Sequence, residues 1–199
     1  NAWEQDASAE ASIVEFALGR YFMWPLAAPK SDPMVTLFGA LESCGAGELC
    51  IYQVTFAPVF EPWEQDILSA VSRRDGKPFF DDGAALQKAA SQKVSQPLFG
   101  VTVRLAARAD DKRRARWLLA AMAATFSQFS QPGGNELRAL ADDDEDDVRA
   151  VDLLARCSRR TGMIMNRDEL AALVRLPSSA VGSARLLRPS AGTRAAPSV

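Results

Sequence analysis

The 199-residue chain contains no histidine. The side chain most used as a general base near neutral pH, and as a metal ligand, is therefore missing. Ser–His–Asp and Cys–His catalysis within the chain are excluded with it. Cysteine is nearly as sparse: Cys44, Cys50 and Cys157 make an odd count with no dense framework. No C-x-x-C pair occurs, which removes the thioredoxin-type redox motif and a paired zinc site. The three thiols read as small buried apolar residues in a reducing compartment. No apolar run approaches the roughly 20 residues that span a bilayer. The longest ones, such as Trp117 to Ala124, fit an amphipathic core helix. No signal peptide is visible, and the first residue, Asn1, is not methionine, which predicts a fragment or processed product. The phosphate-loop pattern G-x-x-x-x-G-K-[ST] does not occur, so no nucleoside triphosphate site of that type is expected. The one glycine-rich stretch, Pro132-Gly133-Gly134-Asn135, follows a helical segment instead of opening one and reads as a helix C-cap and turn.

What is present is an ordinary globular composition with an uneven charge distribution. Hydrophobic residues make up 48%, enough for a sizeable core. Residues 1–100 carry 7 Lys+Arg against 13 Asp+Glu, and residues 101–199 carry 16 against 12. The net of −6 followed by +4 suits either an acidic partner for the second half or contact between the halves. The run Asp142-Asp143-Asp144-Glu145-Asp146-Asp147 lacks the interleaved turn residues of a calcium loop. It reads as a solvated loop whose last acids favour the next helix N-terminus. The densest basic group is Lys112, Arg113 and Arg114 with Arg104, Arg108 and Arg116, a candidate phosphate or partner contact. Arg113 and Arg116 share a helical face, with Trp117 and Leu118 expected to turn to the core. Arg156, Arg159 and Arg160 fall at a predicted helix end, where cations offset the dipole. Aromatics do not alternate with these bases, which argues against an RNA-recognition sheet. Glu48, Glu64 and Asp66 lack a partner set for acid–base chemistry.

The order of elements follows from local signals. Residues 1–11 are polar and alanine-rich and are expected to be a disordered leader. Ser12 to Leu26 predicts a strand, or a strand pair broken near Gly19. Asp32-Pro33 is an N-cap followed by proline at the first helical position, and Gly45 and Gly47 close that helix. Glu48 to Pro58 is rich in strand formers. Glu61-Pro62-Trp63 starts a helix to about Arg73, with Trp63 anchoring it on the sheet. A helix over about Ala84–Val94 precedes a strand over Leu98–Ala107. A long helix spans about Asp111–Phe129, a short strand Asn135–Ala141, and a helix about Val148–Arg159. Asn166 with Glu169 three residues on is a capping box. It opens a last helix to Leu176, with Leu170, Leu173 and Val174 on one face and Pro177 as a stop. The expectation is an α+β fold with a mixed or antiparallel sheet and helices packed on it, in ferredoxin-like units. The folded body spans 12–177, in sub-units of about 12–75 and 83–177, followed by a flexible linker over 178–199.

Several segments in order carry a family resemblance. They are EFALGRYFMWPL (Glu15 to Leu26), DPMVTLFGAL (Asp32 to Leu41), GELCIYQVTFAP (Gly47 to Pro58) and PWEQDI (Pro62 to Ile67). QPLFGVTVRLAAR (Gln96 to Arg108), FSQPGGNEL (Phe129 to Leu137) and GMIMNRDELAALVRLPS (Gly162 to Ser178) follow. The series resembles the region ahead of the motor in bacterial TraG-like type IV secretion coupling ATPases and HerA/FtsK-type ATPases. The resemblance implies a non-catalytic accessory domain, with ATP and magnesium belonging to a motor domain beyond this chain. It further implies homo-oligomers through the motor ring, DNA as an indirect partner, secretion-system proteins as partners, and no small-molecule substrate. A bacterial cytoplasmic location, at or near the inner-membrane face, goes with it. The rival reading of the residues themselves is a self-contained nucleic-acid-binding module using the arginine-rich second half.

Overall fold

The computed structural model describes residues 10–59, 63–73, 75–78, 83–130, 132–140, 146–160, 162–183 and 186. Strand β1 (Glu10–Leu18) leads through a loop to helix α1 (Pro33–Leu41) and strand β2 (Leu49–Pro58). Two helices, α2 (Trp63–Val71) and α3 (Gly83–Val94), precede strand β3 (Leu98–Ala109). Helix α4 (Lys112–Ala124) runs into a 3-10 turn over Thr125–Phe129, followed by strand β4 (Leu137–Ala139). Helix α5 (Asp146–Ala155), strand β5 (Met163–Asn166) and helix α6 (Arg167–Leu173) complete the order.

The sheet is antiparallel throughout, with strand order β2-β3-β1-β4 and β5 paired to β3. With α1 between β1 and β2 and α4 between β3 and β4, this is the ferredoxin-like arrangement the sequence led us to expect. The α2–α3 pair is inserted between β2 and β3, and α5, β5 and α6 are added after β4. The two expected sub-units are not separate. β3 comes from the second and pairs with β1 and β2 of the first along most of its length.

Side-chain alternation along β3 divides the core. Val101, Val103, Leu105 and Ala107 face α1, α4 and α6 and pack with Leu37, Leu118, Met122 and Leu173. Each fully buried valine, leucine or methionine side chain among them contributes about 1.5–3 kcal/mol. On the second face α5 covers one end, where Ala106 and Ile13 pack with Leu153. The α2–α3 pair covers the other end, where Leu98 packs with Ile67, Val71 and Ala90.

β5 was not foreseen, because four residues give too short a period to read. Its place is set by topology. β1 pairs with β3 only as far as Phe16 opposite Val103, and then leaves the sheet centre. β5 takes the vacated edge, with Met163 opposite Val101 and Asn166 opposite Leu98. Gly162 enters that lane at φ 71°, where a Cβ would lie 2.7 Å from the Val101 carbonyl oxygen.

Several boundaries move. β1 begins at Glu10, inside the expected leader, and remains one strand rather than a pair. Beyond Gly19 the backbone is held by Asn135 instead of a second strand. The Asn135 carboxamide oxygen accepts from Arg20 N at 2.9 Å, and its nitrogen donates to the carbonyls of Arg20, Tyr21 and Trp24. α1 ends at Leu41, before Gly45 and Gly47, with Glu42 as its C-cap. α4 gives way to the 3-10 turn five residues before Phe129 ends it. Gly133 (φ 77°) then serves a turn and not a helix cap. α5 stops at Ala155, because Arg156 adopts φ 55°. The last two acids of the acidic run open α5, while residues 142–145 lie outside the described residues. α6 ends at Leu173, and Val174 is exposed. The capping box is present in both directions. The chain keeps packing past Pro177: Ser178 N donates to Asp32 at 3.0 Å and Val181 is buried against the main core. The linker expected over 178–199 therefore does not begin at Ser178; residues 187–199 lie outside the described residues. No helix among the described residues is long and apolar enough to cross a membrane.

Candidate nucleic-acid or partner interface

The basic cluster that is contiguous in sequence is divided by the fold. Arg104 and Arg108 lie at even positions of β3 and face the α5 side, whereas α4 packs on the opposite side of the sheet. Arg104 is 1% exposed. It stands in register between Glu15 of β1 and Gln53 of β2. Its Nε donates to Glu15 Oε2 at 2.9 Å, and one terminal nitrogen donates to the Cys157 carbonyl at 2.6 Å and to Gln53 Oε1 at 3.4 Å. The other lies 3.8 Å from Asp152 Oδ2, and Arg159 Nε reaches Asp152 Oδ1 at 3.1 Å. Glu15 and Asp152 thus supply the carboxylates that the buried Arg104 meets beneath α5. A removed partner would leave a buried charge uncompensated. Arg104 is a structural ion-pair residue and is withdrawn from any surface contact. Arg108 is half-buried on the same face.

The head of α4 is built differently. Asp111 is its N-cap, accepting from Arg114 N at 2.8 Å, so this acid is used by the backbone. Ala115, Leu118, Leu119 and Met122 form the buried stripe at helical spacing. That stripe leaves Arg113 and Arg116 on the solvent side, as expected. Trp117 lies with them, 51% exposed, and does not turn to the core. It is one residue off the stripe, about 100° around the helix. Lys112 is half-buried at the helix start. Arg114 points sideways across the α1–β2 turn. Its guanidinium grips both oxygens of Glu48, at 2.6 and 2.9 Å, and donates to the Ser43 carbonyl at 2.7 Å. It also stacks on the Trp117 ring at 4.7 Å, a favourable arrangement of cation over π face. The Arg114 hydrogen bonds, with one from Gly45 N–H, hold the Glu48 carboxyl down at about 2. Arg114 is thus committed to Glu48, while Arg113 and Arg116 with Trp117 form the exposed cationic and aromatic face.

A second concave feature had no sequence signal. An open groove of about 820 Å³ lies where β1 ends and β5 begins. Leu18, Tyr21, Phe22, Trp24, Trp63 and Ile164 line it, with Arg20 also in its wall. Phe22 meets Trp63 edge to face at 6.1 Å. Trp63 therefore anchors α2 on the aromatic loop as well as on the sheet. Asn135 shapes this groove by holding the Arg20–Trp24 backbone. The groove offers apolar contact and no acid–base pair.

Buried ionisable groups elsewhere serve the fold. Lys93 of α3 is 0% exposed and meets Glu169 of α6 at 3.2 Å. Glu169 also accepts from Leu26 N and from Asn166 N, both at 2.8 Å. Burial lowers the Lys93 value, with Glu169 opposing it. The cysteines are less buried than expected: Cys44 and Cys50 are half-buried and Cys157 is exposed. Among the described residues no three His, Cys, Asp or Glu side chains gather where a metal ion could be held. Comparison of the chain with family models, curated proteins and solved structures found no match.

Proposed function

We propose that this chain is a non-catalytic accessory and assembly domain of a DNA-translocating ring ATPase linked to type IV secretion or conjugative DNA transfer. The observation that carries the reading is the use made of its buried charges. Glu15, Arg104 and Asp152 tie α5 to the sheet, and Lys93 and Glu169 tie α3 to α6 and to the loop at Leu26. Groups of the kind that catalysis recruits are here engaged in holding layers together, which suits a scaffold. The ordered segments Glu15 to Ser178 supply the link to the ATPase region they resemble. On this reading the partners are copies of itself through the motor ring and secretion-system proteins, with DNA contacted indirectly. ATP and magnesium belong to the motor.

A second reading has its own observation. Arg113, Arg116 and the exposed Trp117 stand together at the head of α4 beside Lys112, and an aromatic ring among cations suits base stacking next to phosphates. One experiment separates the two. The purified chain is assayed for ATP turnover and for duplex and single-strand DNA binding at 50 and 200 mM salt. The scaffold reading expects no turnover above background and no salt-dependent binding by the isolated chain. Turnover would sink it. Steeply salt-dependent binding would favour the second reading. Neutralising Lys112, Arg113 and Arg116 would then flatten the duplex salt slope by about 2.7, at roughly 0.9 per phosphate contact.

A further inference from the structure

We propose that Cys44 and Cys50 form an oxidisable thiol pair that closes to an intramolecular disulfide across the α1–β2 turn. The spacing C-x5-C carries no motif, and the proximity is created by the turn. α1 ends at Leu41, and Cys44 N donates back to the Leu41 carbonyl at 3.1 Å. The chain then reverses through Gly45-Ala46-Gly47, with Gly47 at φ 81°. Glu48 fastens the reversal twice: its carboxylate accepts from Gly45 N at 2.6 Å, and its own N–H donates to the Gly45 carbonyl at 3.3 Å. Cys50 follows as the second residue of β2. The result brings Cys50 back to the side of the turn on which Cys44 lies, close enough for the two thiols to act on each other electrostatically. Both line one open crevice of about 450 Å³, with Phe38 and Leu41 as its apolar wall. A small oxidant therefore has access to both. The charged groups facing the pair are Glu42 and Glu48, which line the same crevice, and the Arg114 guanidinium, which is near enough to act on both sulfurs.

The chemistry is thiol–disulfide exchange with a low-molecular-weight disulfide as oxidant. The Cys44 thiolate attacks one sulfur of that disulfide. Its S–S bond breaks, and one small thiolate leaves with the electron pair and takes up a proton. The Cys50 thiolate then attacks the Cys44 sulfur of the mixed disulfide and expels the second small thiolate, which is also protonated. Two protein thiols are oxidised and one small disulfide is reduced to two thiols. Burial and the neighbouring Cys44 push Cys50 up to about 12, which suits Cys44 as the first attacker. The turn then supplies the high local concentration that drives the second step.

The test does not depend on the proposed function. The full 199-residue chain is incubated with oxidised glutathione, alkylated and analysed by peptide mass mapping. The expected product has Cys44 joined to Cys50, the linked peptides lighter by two hydrogen atoms and neither thiol alkylated, while the exposed Cys157 is alkylated or carries glutathione. Cys157→Ser should close the same bond. Glu48→Ala, which releases the turn, should form it several-fold more slowly. Both thiols remaining alkylatable in the Cys157→Ser chain would overturn the proposal. So would a persistent glutathione adduct on Cys44 or Cys50. Equal rates in Glu48→Ala and wild type would overturn the part assigned to the turn.

Discussion

Replacing Glu169 by glutamine should expose how much of this fold depends on one anion. The Lys93 side chain is 0% exposed and its Nζ lies 3.2 Å from Glu169 Oε2. Without the carboxylate, Lys93 must remain charged in the interior or shed its proton. Shedding sets the ceiling. For a lysine of ordinary value 10.5, neutralisation at pH 7 costs roughly 5 kcal/mol, at 1.36 kcal/mol per pH unit. Glutamine also offers only one oxygen to the N–H groups of Leu26 and Asn166, which both use the carboxylate now. The misplaced donor adds about 1–3 kcal/mol. The sum reaches the lower range of domain stability, about 5–15 kcal/mol, so the variant should be marginal at pH 7. The sign of its pH dependence follows from linkage. Above the lowered folded-state value and below 10.5, the unfolded chain holds a proton that the folded chain does not, so stability rises with pH. In wild type Glu169 opposes that lowering, so the rise is smaller. The deficit of Glu169→Gln should therefore shrink by up to about 2.7 kcal/mol between pH 7 and 9. Lys93→Met should cost less, because Glu169 keeps its two backbone N–H donors. The double variant should be more stable than Glu169→Gln alone. Urea unfolding followed by tryptophan fluorescence at pH 7 and 9 measures all three. A deficit independent of pH, or a double variant no better than the single, would refute the reasoning.

Two further outcomes are expected. Gly162→Ala should destabilise by about 1–3 kcal/mol, because alanine is strained at positive φ and its Cβ would meet the Val101 carbonyl. A neutral effect in chemical denaturation would count against the β5 lane. The Glu48 carboxyl should titrate near 2 rather than at 4.5. A folded value this far down means its stabilisation is present above 4.5 and lost as pH falls toward 2. Carbon-detected NMR of the Glu48 side chain reads the midpoint, and Arg114→Ala should move it up toward 4.5.

Much of the architecture was legible because its signals are local. Asp32 before Pro33, Asp111 before Lys112, and the Asn166–Glu169 box each cap a helix within a few residues of chain. β2 and β3 are long enough to show their composition. What was not legible depended on partners far away in sequence. The Asn135 carboxamide serves carbonyls more than 110 residues away, and no pattern around it announces that.

By itself, the sequence determined most of the element types, though not the four-residue β5, together with the α+β class and the absence of histidine chemistry, all properties of composition and short-range spacing. The tertiary structure alone decided which basic residues share a surface. Pleating sends Arg104 to the face opposite α4, where burial demands a counter-charge, and Glu15 and Asp152 supply it. It also decided that Trp117 faces solvent and that Cys44 and Cys50 line one crevice. In each case the cause is direction and long-range proximity, which a one-dimensional reading does not contain.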